Sequence, residues 1–174
     1  ELVLDLLARI GGNRVNYGVN TYGGVRRDLE PELMEDILHV CDLLEEKLNY
    51  YADLAMTETT LIARLKGIGV LLPEDVKKYS AVGPVARAAG IMDDIRVIEP
   101  YGVFREIAVN PITDDHCDVY GRTLVRVKEM LEAIRLIRVM IKEIPDGPIS
   151  VRPPRKLPVG EAFSRVEAPR GEDI

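Results

Sequence analysis

The stretch PELMEDILHVCDLLEEKLNYYADLAM, residues 31–56, places Leu33, Ile37, Val40, Leu44, Leu48 and Tyr51 at spacings of three and four. That spacing is the period of a helix with one apolar face, kept for about six turns. Pro31 has the fixed φ that suits a first turn, Asp28 is placed to cap it, and Glu30, Glu32, Glu35 and Asp36 gather at its positive end. Residues 119–144 repeat the pattern through Leu124, Val127, Leu131, Ile134, Ile137, Ile141 and Ile144, and Pro145 with Gly147 stops it. Helices of about 24 and 26 residues would run about 36 to 39 Å. The expected fold is therefore mainly α: two long antiparallel helices with short helices and minor β around them, as a single domain over residues 1–174.

Outward from these helices the elements shorten. Val3, Leu6, Leu7 and Ile10 share one face of an opening helix that Gly11 and Gly12 end. Between residues 56 and 90, helix starts are expected at Thr57, Pro73 and Pro84. RVIEPYGVFREIAVNP, residues 96–111, is rich in β-branched and aromatic residues but broken by Pro100 and Gly102, which predicts short strands or extended loop. Residues 145–174 hold six of the eleven prolines, a composition that wraps over a surface rather than forming a helix. On the long helix at 119–144, Lys128 and Glu132 stand at i and i+4, and the arginines there read as a solvated or subunit-facing side.

With 174 residues, 47% of them hydrophobic, the chain has enough apolar material for a core. Its net charge of −6 argues against nucleic acid as a partner, since phosphate binding needs a basic face. No run of about 18 uncharged apolar residues is present, so no membrane-spanning helix is expected. Cys41 and Cys117 are far apart and His39 and His116 sit in a helical pattern and a polar loop, so no metal site is expected from them. The first residue is Glu1 and the opening helix is already under way, which suggests a piece of a longer chain.

Residues 11–29, GGNRVNYGVNTYGGVRRDL, hold five glycines and three arginines. Taken alone they read as a twisted hairpin with solvated arginines. Three further segments follow: VGPVARAAGIMDDIRVIEPYGVF at 82–104, DVYGRTLVRVKEML at 118–131 and VEAPRGE at 166–172. In this order they resemble the large subunit of membrane-bound, energy-converting nickel-iron hydrogenases of the formate hydrogenlyase and Ech kind. They are equally similar to its homologue, the 49 kDa subunit of respiratory complex I. The resemblance covers essentially the whole chain.

It implies a subunit whose complete form interconverts protons and dihydrogen, peripheral on the cytoplasmic side of a membrane, with an iron–sulfur small subunit and membrane subunits as partners. The two cysteine pairs that hold nickel and iron in that family are not in this sequence, so no cofactor is expected in this fragment itself, which should be inert alone. Arg170, in Glu167-Ala168-Pro169-Arg170-Gly171, is implied as the catalytic residue, its guanidinium reaching over the metal centre of the parent. Arg14, Asn16 and Arg26 are implied to lie near the partner's iron–sulfur cluster, where positive charge raises its potential. Complex I relatives commonly carry a histidine where this chain has Asn16, which together with GGVRRDL favours the hydrogenase branch; they usually carry an aspartate where it has Gly121, so the ion pair that aspartate makes is not expected here. The alternatives are an NADH-quinone oxidoreductase subunit whose cavity binds quinone, with NAD(H) as donor to the complex, and a non-catalytic scaffold. Arg87, Asp94 and Arg96 read as architecture, the last two as an ion pair. A free fragment would expose apolar area and could self-associate.

Overall fold

The helical period from Leu33 to Tyr51 is realised within one uninterrupted helix in the structure, a computed structural model that describes residues 1–15, 17–156 and 159–174. In chain order the elements are α1 (Leu2–Gly11), β1 (Asn20–Thr21), β2 (Gly24–Val25), α2 (Pro31–Thr57), α3 (Thr59–Leu65), α4 (Pro73–Tyr79), α5 (Pro84–Arg87) and α6 (Ile95–Ile98). A 3₁₀ turn (Gly102–Arg105), α7 (Val119–Lys142), β3 (Val166–Ala168) and β4 (Gly171–Asp173) complete it. About half the chain is helical and the described strands form two antiparallel hairpins, the mainly α fold expected. Two compact units are present, one of Glu1–Leu44 with Met140–Glu161, the other of Glu45–Val139 with Ala162–Ile174.

In the first unit, α1 ends at Gly12, whose φ of 78° lets its N–H reach the Ala8 carbonyl at 2.8 Å. The glycine-rich segment does form a hairpin, with Thr21 opposite Gly24 and Tyr22-Gly23 as its turn. Its glycines have a local reason. The proline-rich chain runs alongside, Val25 N–H donating to the Ile149 carbonyl at 3.0 Å and Val151 N–H to the Gly23 carbonyl at 2.9 Å. A Cβ on Gly23 or Gly24 would stand 2.2 Å from the Val151 or Ile149 oxygen, so only glycine admits this approach. Asp28 does not cap α2: its carboxylate accepts from the adjacent Leu29 N–H at 2.8 Å, and the helix opens at Pro31 behind Glu30. Ile37 and Cys41 are its buried residues in this unit.

In the second unit, Val76, Ala86 and Ala89 form a core cluster with Leu71, Ala81, Ile91 and Cys117 packed against it. From α7, Leu124, Val125, Ile134 and Leu136 are buried, and Ala55 is buried on α2. Tyr51 and Ile137, expected in the apolar stripes, are exposed. Thr57 closes α2 rather than opening a helix, because its hydroxyl donates back to the Asp53 carbonyl at 2.7 Å. Glu58 opens α3 instead, accepting from Thr60 N–H.

Residues 96–111 contain no strand among the described residues. Asp94 caps a turn of helix there, its carboxylate accepting from Arg96 N–H at 3.1 Å, and the 3₁₀ turn follows with Tyr101 and Phe104 edge to face. Asp118 caps α7 through Gly121 N–H at 2.9 Å and also takes Gly67 N–H at 2.7 Å. Two of the α7 arginines tether loops, Arg122 donating to the Gly69 carbonyl and Arg135 to that of Ala108, while Arg126 is exposed as expected. Glu132 pairs with Arg135 at 2.6 Å and accepts from Asn110 N–H, in place of the expected partner Lys128.

Candidate functional site

The EAPRG segment is the second hairpin. Strands β3 and β4 pair Val166 with Asp173, Glu167 with Glu172 and Ala168 with Gly171, leaving Pro169 and Arg170 as a two-residue turn. Arg170 is exposed there, and among the described residues its guanidinium has no ion pair or side-chain hydrogen bond. The turn closes on Gly171, buried at φ 122°, a conformation that favours glycine. Gly171 lies directly against Gly83, the residue before α5. A Cβ on Gly83 would stand 2.3 Å from Gly171 Cα, and one on Gly171 would stand 2.7 Å from Gly83 N. Gly83 is itself held, its N–H donating to the Asp93 carboxylate at 2.9 Å.

The same hairpin is fastened from inside by Glu167. One carboxylate oxygen accepts from Arg87 Nη1 at 2.9 Å and the other from Ile95 N–H at 3.1 Å, while Glu167 N–H donates to the Tyr101 hydroxyl at 3.1 Å. Arg87, on α5, is 2% exposed, and each of its three guanidinium nitrogens has an oxygen partner. Its Nε and Nη2 reach Glu129 Oε1 on α7 at 2.7 and 2.6 Å, and Nη1 also donates to the Asp93 carbonyl. Asp94 completes the group, 3.9 Å from Arg87 but paired mainly with Arg96 through two bonds of 2.9 and 2.7 Å. Two guanidiniums and three carboxylates thus sit together with no buried side-chain nitrogen or oxygen left without a partner among the described residues. Burial pushes the Glu129 carboxyl up, against the pull of Arg87 beside it.

A cavity of about 520 Å³ opens over this group, walled by Arg87, Arg96, Arg126, Glu129, Met130 and Pro169 among others. It is a charged concavity of the second unit, and the base of the Arg170 turn forms part of its rim.

The other expected residues stand in the first unit. Arg14 donates to Glu1 at 3.1 Å and lies 3.3 Å from Asp5, all three exposed, so its charge is partly met by the start of α1. Arg26 is exposed just after β2, with its guanidinium beside Gly18. Asn16 lies outside the described residues. The structure therefore gathers Glu167 and the Pro169-Arg170 turn with Arg87, Asp94 and Arg96, and assigns neither Arg14 nor Arg26 to that group.

The donor set for a nickel-iron centre is not met by these residues. Such a centre needs several thiolates, whereas Cys41 is buried within α2 and Cys117 precedes α7. Burial and then the carboxylates of Asp115, Asp118 and Asp114 push the Cys117 thiol up, which keeps it protonated. Asp114, Asp115 and His116 do converge, His116 Nδ1 lying 2.6 Å from Asp114 Oδ1. That contact orders the loop before α7.

Sequence reasoning passes over Glu167, Glu129 and Tyr101 as members of the group. Glu167 is legible in principle only as part of the EAPRG motif, since its neighbours Val166 and Ala168 give no pairing signal.

The sequence family described as "Respiratory-chain NADH dehydrogenase, 49 Kd subunit" matches residues 1–157. The chain belongs to that family. Its relatives fall on both sides of the 49 kDa lineage. It is 35% identical to the D subunit of the NADH-quinone oxidoreductase of Dehalococcoides mccartyi over 174 residues, 99% of this chain and 47% of the relative. It is 36% identical to the carbon monoxide-induced hydrogenase of Rhodospirillum rubrum over 175 residues, 100% of this chain and 48% of the relative. The D subunit of the F(420)H(2) dehydrogenase of Methanosarcina mazei is 36% identical over 180 residues, 99% of this chain and 48% of the relative. Among solved structures, a chain of the membrane-bound sulfane sulfur reductase, an archaeal respiratory membrane complex, superposes with a TM-score of 0.87 at 29% identity, covering 97% of this chain and 48% of that one. The chain spans about half the length of these relatives. Among the described residues no helix is long and apolar enough to cross a membrane.

Proposed function

We propose that this 49 kDa-family chain is part of the catalytic large subunit of a membrane-associated nickel-iron hydrogenase complex, with Arg170 presented to the reacting centre. The observation that carries the proposal is the Arg170 turn: its backbone is clamped by Gly83 and Glu167, while the guanidinium it bears pairs with nothing among the described residues. A buried ionic group under such an arginine is what a positioned donor requires, since a guanidinium keeps its charge at any working pH and offers five fixed N–H groups. The chain supplies no thiolate set of its own, so the metal and the activity belong to the complete subunit, and the electrons to iron–sulfur clusters of a neighbouring subunit. Arg14, Asn16 and Arg26 border that cluster in this reading. The complex lies on the cytoplasmic face of its membrane modules.

A second reading rests on the 35% identity to a subunit of an NADH-quinone oxidoreductase. In it the same turn faces a quinone, and Arg170 donates to the ring oxygen. Nickel separates the two. The complete complex, purified and assayed for nickel, for dihydrogen evolution from a reduced viologen and for quinone reduction, should carry stoichiometric nickel and evolve dihydrogen. No nickel together with quinone reduction would replace the hydrogenase reading by the quinone one. In either case Arg170→Lys should lower turnover about 100-fold with cofactor content unchanged, the effect of removing one fixed donor from a reacting centre. Normal turnover would remove Arg170 from the site.

A further inference from the structure

A two-residue turn fixes the course of its backbone only relative to its own strands, and here the strands are three residues each. Hairpins this short do not hold themselves in place. The position of Arg170 is therefore set by whatever fastens the hairpin to the rest of the unit. Those fastenings are specific: the Glu167 carboxylate bridging Arg87 and Ile95 N–H, the Glu167 N–H on the Tyr101 hydroxyl, the glycine-to-glycine contact of Gly171 with Gly83 and, at the exposed outer edge, Arg165 paired with Glu99 at 2.9 Å. Arg87 is in turn immobilised by Glu129 and by the Asp93 carbonyl, so the chain of contacts runs from α7 through α5 to the turn.

We propose that Glu167, held by Arg87, is a positioning residue for Arg170, and that the buried ionic group sets turnover through the placement of that arginine. The inference rests on the proposed role of Arg170. Charge, rather than shape, is the property used. Both Glu167 oxygens accept, one from a cation and one from a backbone N–H, and the side chain is 4% exposed. A glutamine of the same size has one accepting oxygen and would turn its NH₂ against either the guanidinium or the Ile95 N–H, so one fastening must open. Across the hairpin, Glu172 stands opposite Glu167, an arrangement that repels unless each is separately paired. Arg165 pairs with Glu172 and Arg87 with Glu167, so the hairpin is secured by two cations from different places. Loss of the inner one leaves the turn hinged on its outer edge.

The test is a double-mutant cycle in the complete complex. Glu167→Gln should lower turnover about tenfold without changing cofactor content, because a displacement of about 1 Å at a reacting group costs up to on the order of 100-fold. In an Arg170→Lys background the same change should lower turnover less than about twofold further, since the misplaced group is already gone. The loss of thermal stability, by contrast, should be the same in both backgrounds, which separates positioning from support of the fold. Gly83→Ala gives a second route: its Cβ would press on Gly171 Cα from the other side, and its effect on turnover should likewise vanish in the Arg170→Lys background. If Glu167→Gln or Gly83→Ala costs the same factor with and without Arg170, or costs nothing, the positioning role is wrong while the role of Arg170 stands. If Arg170→Lys alone leaves turnover normal, it is the role of Arg170 that fails.

Discussion

Arg87→Met should be among the most destabilising single changes in the second unit. The side chain is 2% exposed and neutralises two carboxylates, Glu129 at 2.6 Å and Glu167 at 2.9 Å, which are 20% and 4% exposed. With the guanidinium gone, Arg96 remains committed to Asp94, and Glu167 keeps only the Ile95 N–H. Removing one partner of a buried ion pair costs about 3–5 kcal/mol, because the other charge stays buried without compensation. With a urea slope of about 2 kcal/mol per molar, the denaturation midpoint of the complete subunit should fall by about 1.5–2.5 M, read by circular dichroism. A pH signature distinguishes this cause from a cavity. Burial already pushes the Glu129 carboxyl up and Arg87 opposes that, so without Arg87 it takes up a proton more readily, and a native pKa raised above the unfolded one gives stability that is present at low pH and lost as pH rises through it. The penalty should accordingly be larger at pH 8 than at pH 5. Adding Glu129→Gln and Glu167→Gln to Arg87→Met should recover about 1–2 kcal/mol, since the stranded charges are then gone. A midpoint shift of under about 0.3 M, or an equal penalty at both pH values, would refute the reasoning.

Asp118 titrates with the opposite sign. Burial pushes its carboxyl up, but the N–H groups of Gly67 and Gly121 outweigh that and hold it below the usual carboxylate range. A lowered native pKa gives stability fully present above the unfolded value near 4 and lost as pH falls through the native one. Asp118→Asn should cost about 1–2 kcal/mol at pH 7 and less at pH 3, measured by equilibrium denaturation; a gap that does not narrow would count against the cap. For the first unit, if Arg26 borders a partner's iron–sulfur cluster as proposed, Arg26→Gln should lower that cluster's midpoint potential in a redox titration followed by electron paramagnetic resonance. An unchanged potential would take Arg26 away from the cluster.

The long helices are legible because their apolar period is local: α2 and α7 run Pro31–Thr57 and Val119–Lys142, against an expected helix of about 24 residues carrying the Leu33–Tyr51 stripe and an expected span of 119–144. The proline starts at Pro73 and Pro84 are legible for the same reason, since the residue itself fixes φ. What the sequence hides is decided by partners distant in the chain. The run at 96–111 looks extended by composition, yet one capping carboxylate, Asp94, and a packed Tyr101–Phe104 pair turn it helical. The glycines at 23 and 24 signal close approach, but nothing local says that residues 149–151 make it. In the site, Arg170 is read from a motif, and Asp94 with Arg96 from their two-residue spacing. The Arg87–Glu167 pair spans 80 positions and the Arg87–Glu129 pair 42, separations over which a single sequence carries no pairing signal.

A buried ionic group is a poor device for stability alone, since well-packed apolar residues of similar volume usually do as well or better. Its advantage is directional. An apolar contact under the β3–β4 hairpin would tolerate sliding by a fraction of a side chain, whereas two oxygens of Glu167 bound to Arg87 and to Ile95 N–H permit one position and one tilt. The glycine contact adds the complementary constraint, because backbone against backbone at Gly83 and Gly171 leaves no side chain to yield. One device limits sliding and the other limits separation, and both act within a few residues of the exposed arginine. A hairpin whose only task was to cover the core would need neither. The coincidence of both beneath a guanidinium that pairs with no described residue supports the proposal that function lies at the Arg170 turn. Of the α7 arginines, Arg122 and Arg135 spend donors on the Gly69 and Ala108 carbonyls and Arg138 pairs with Glu45, while Arg126 is exposed on the wall of the same cavity.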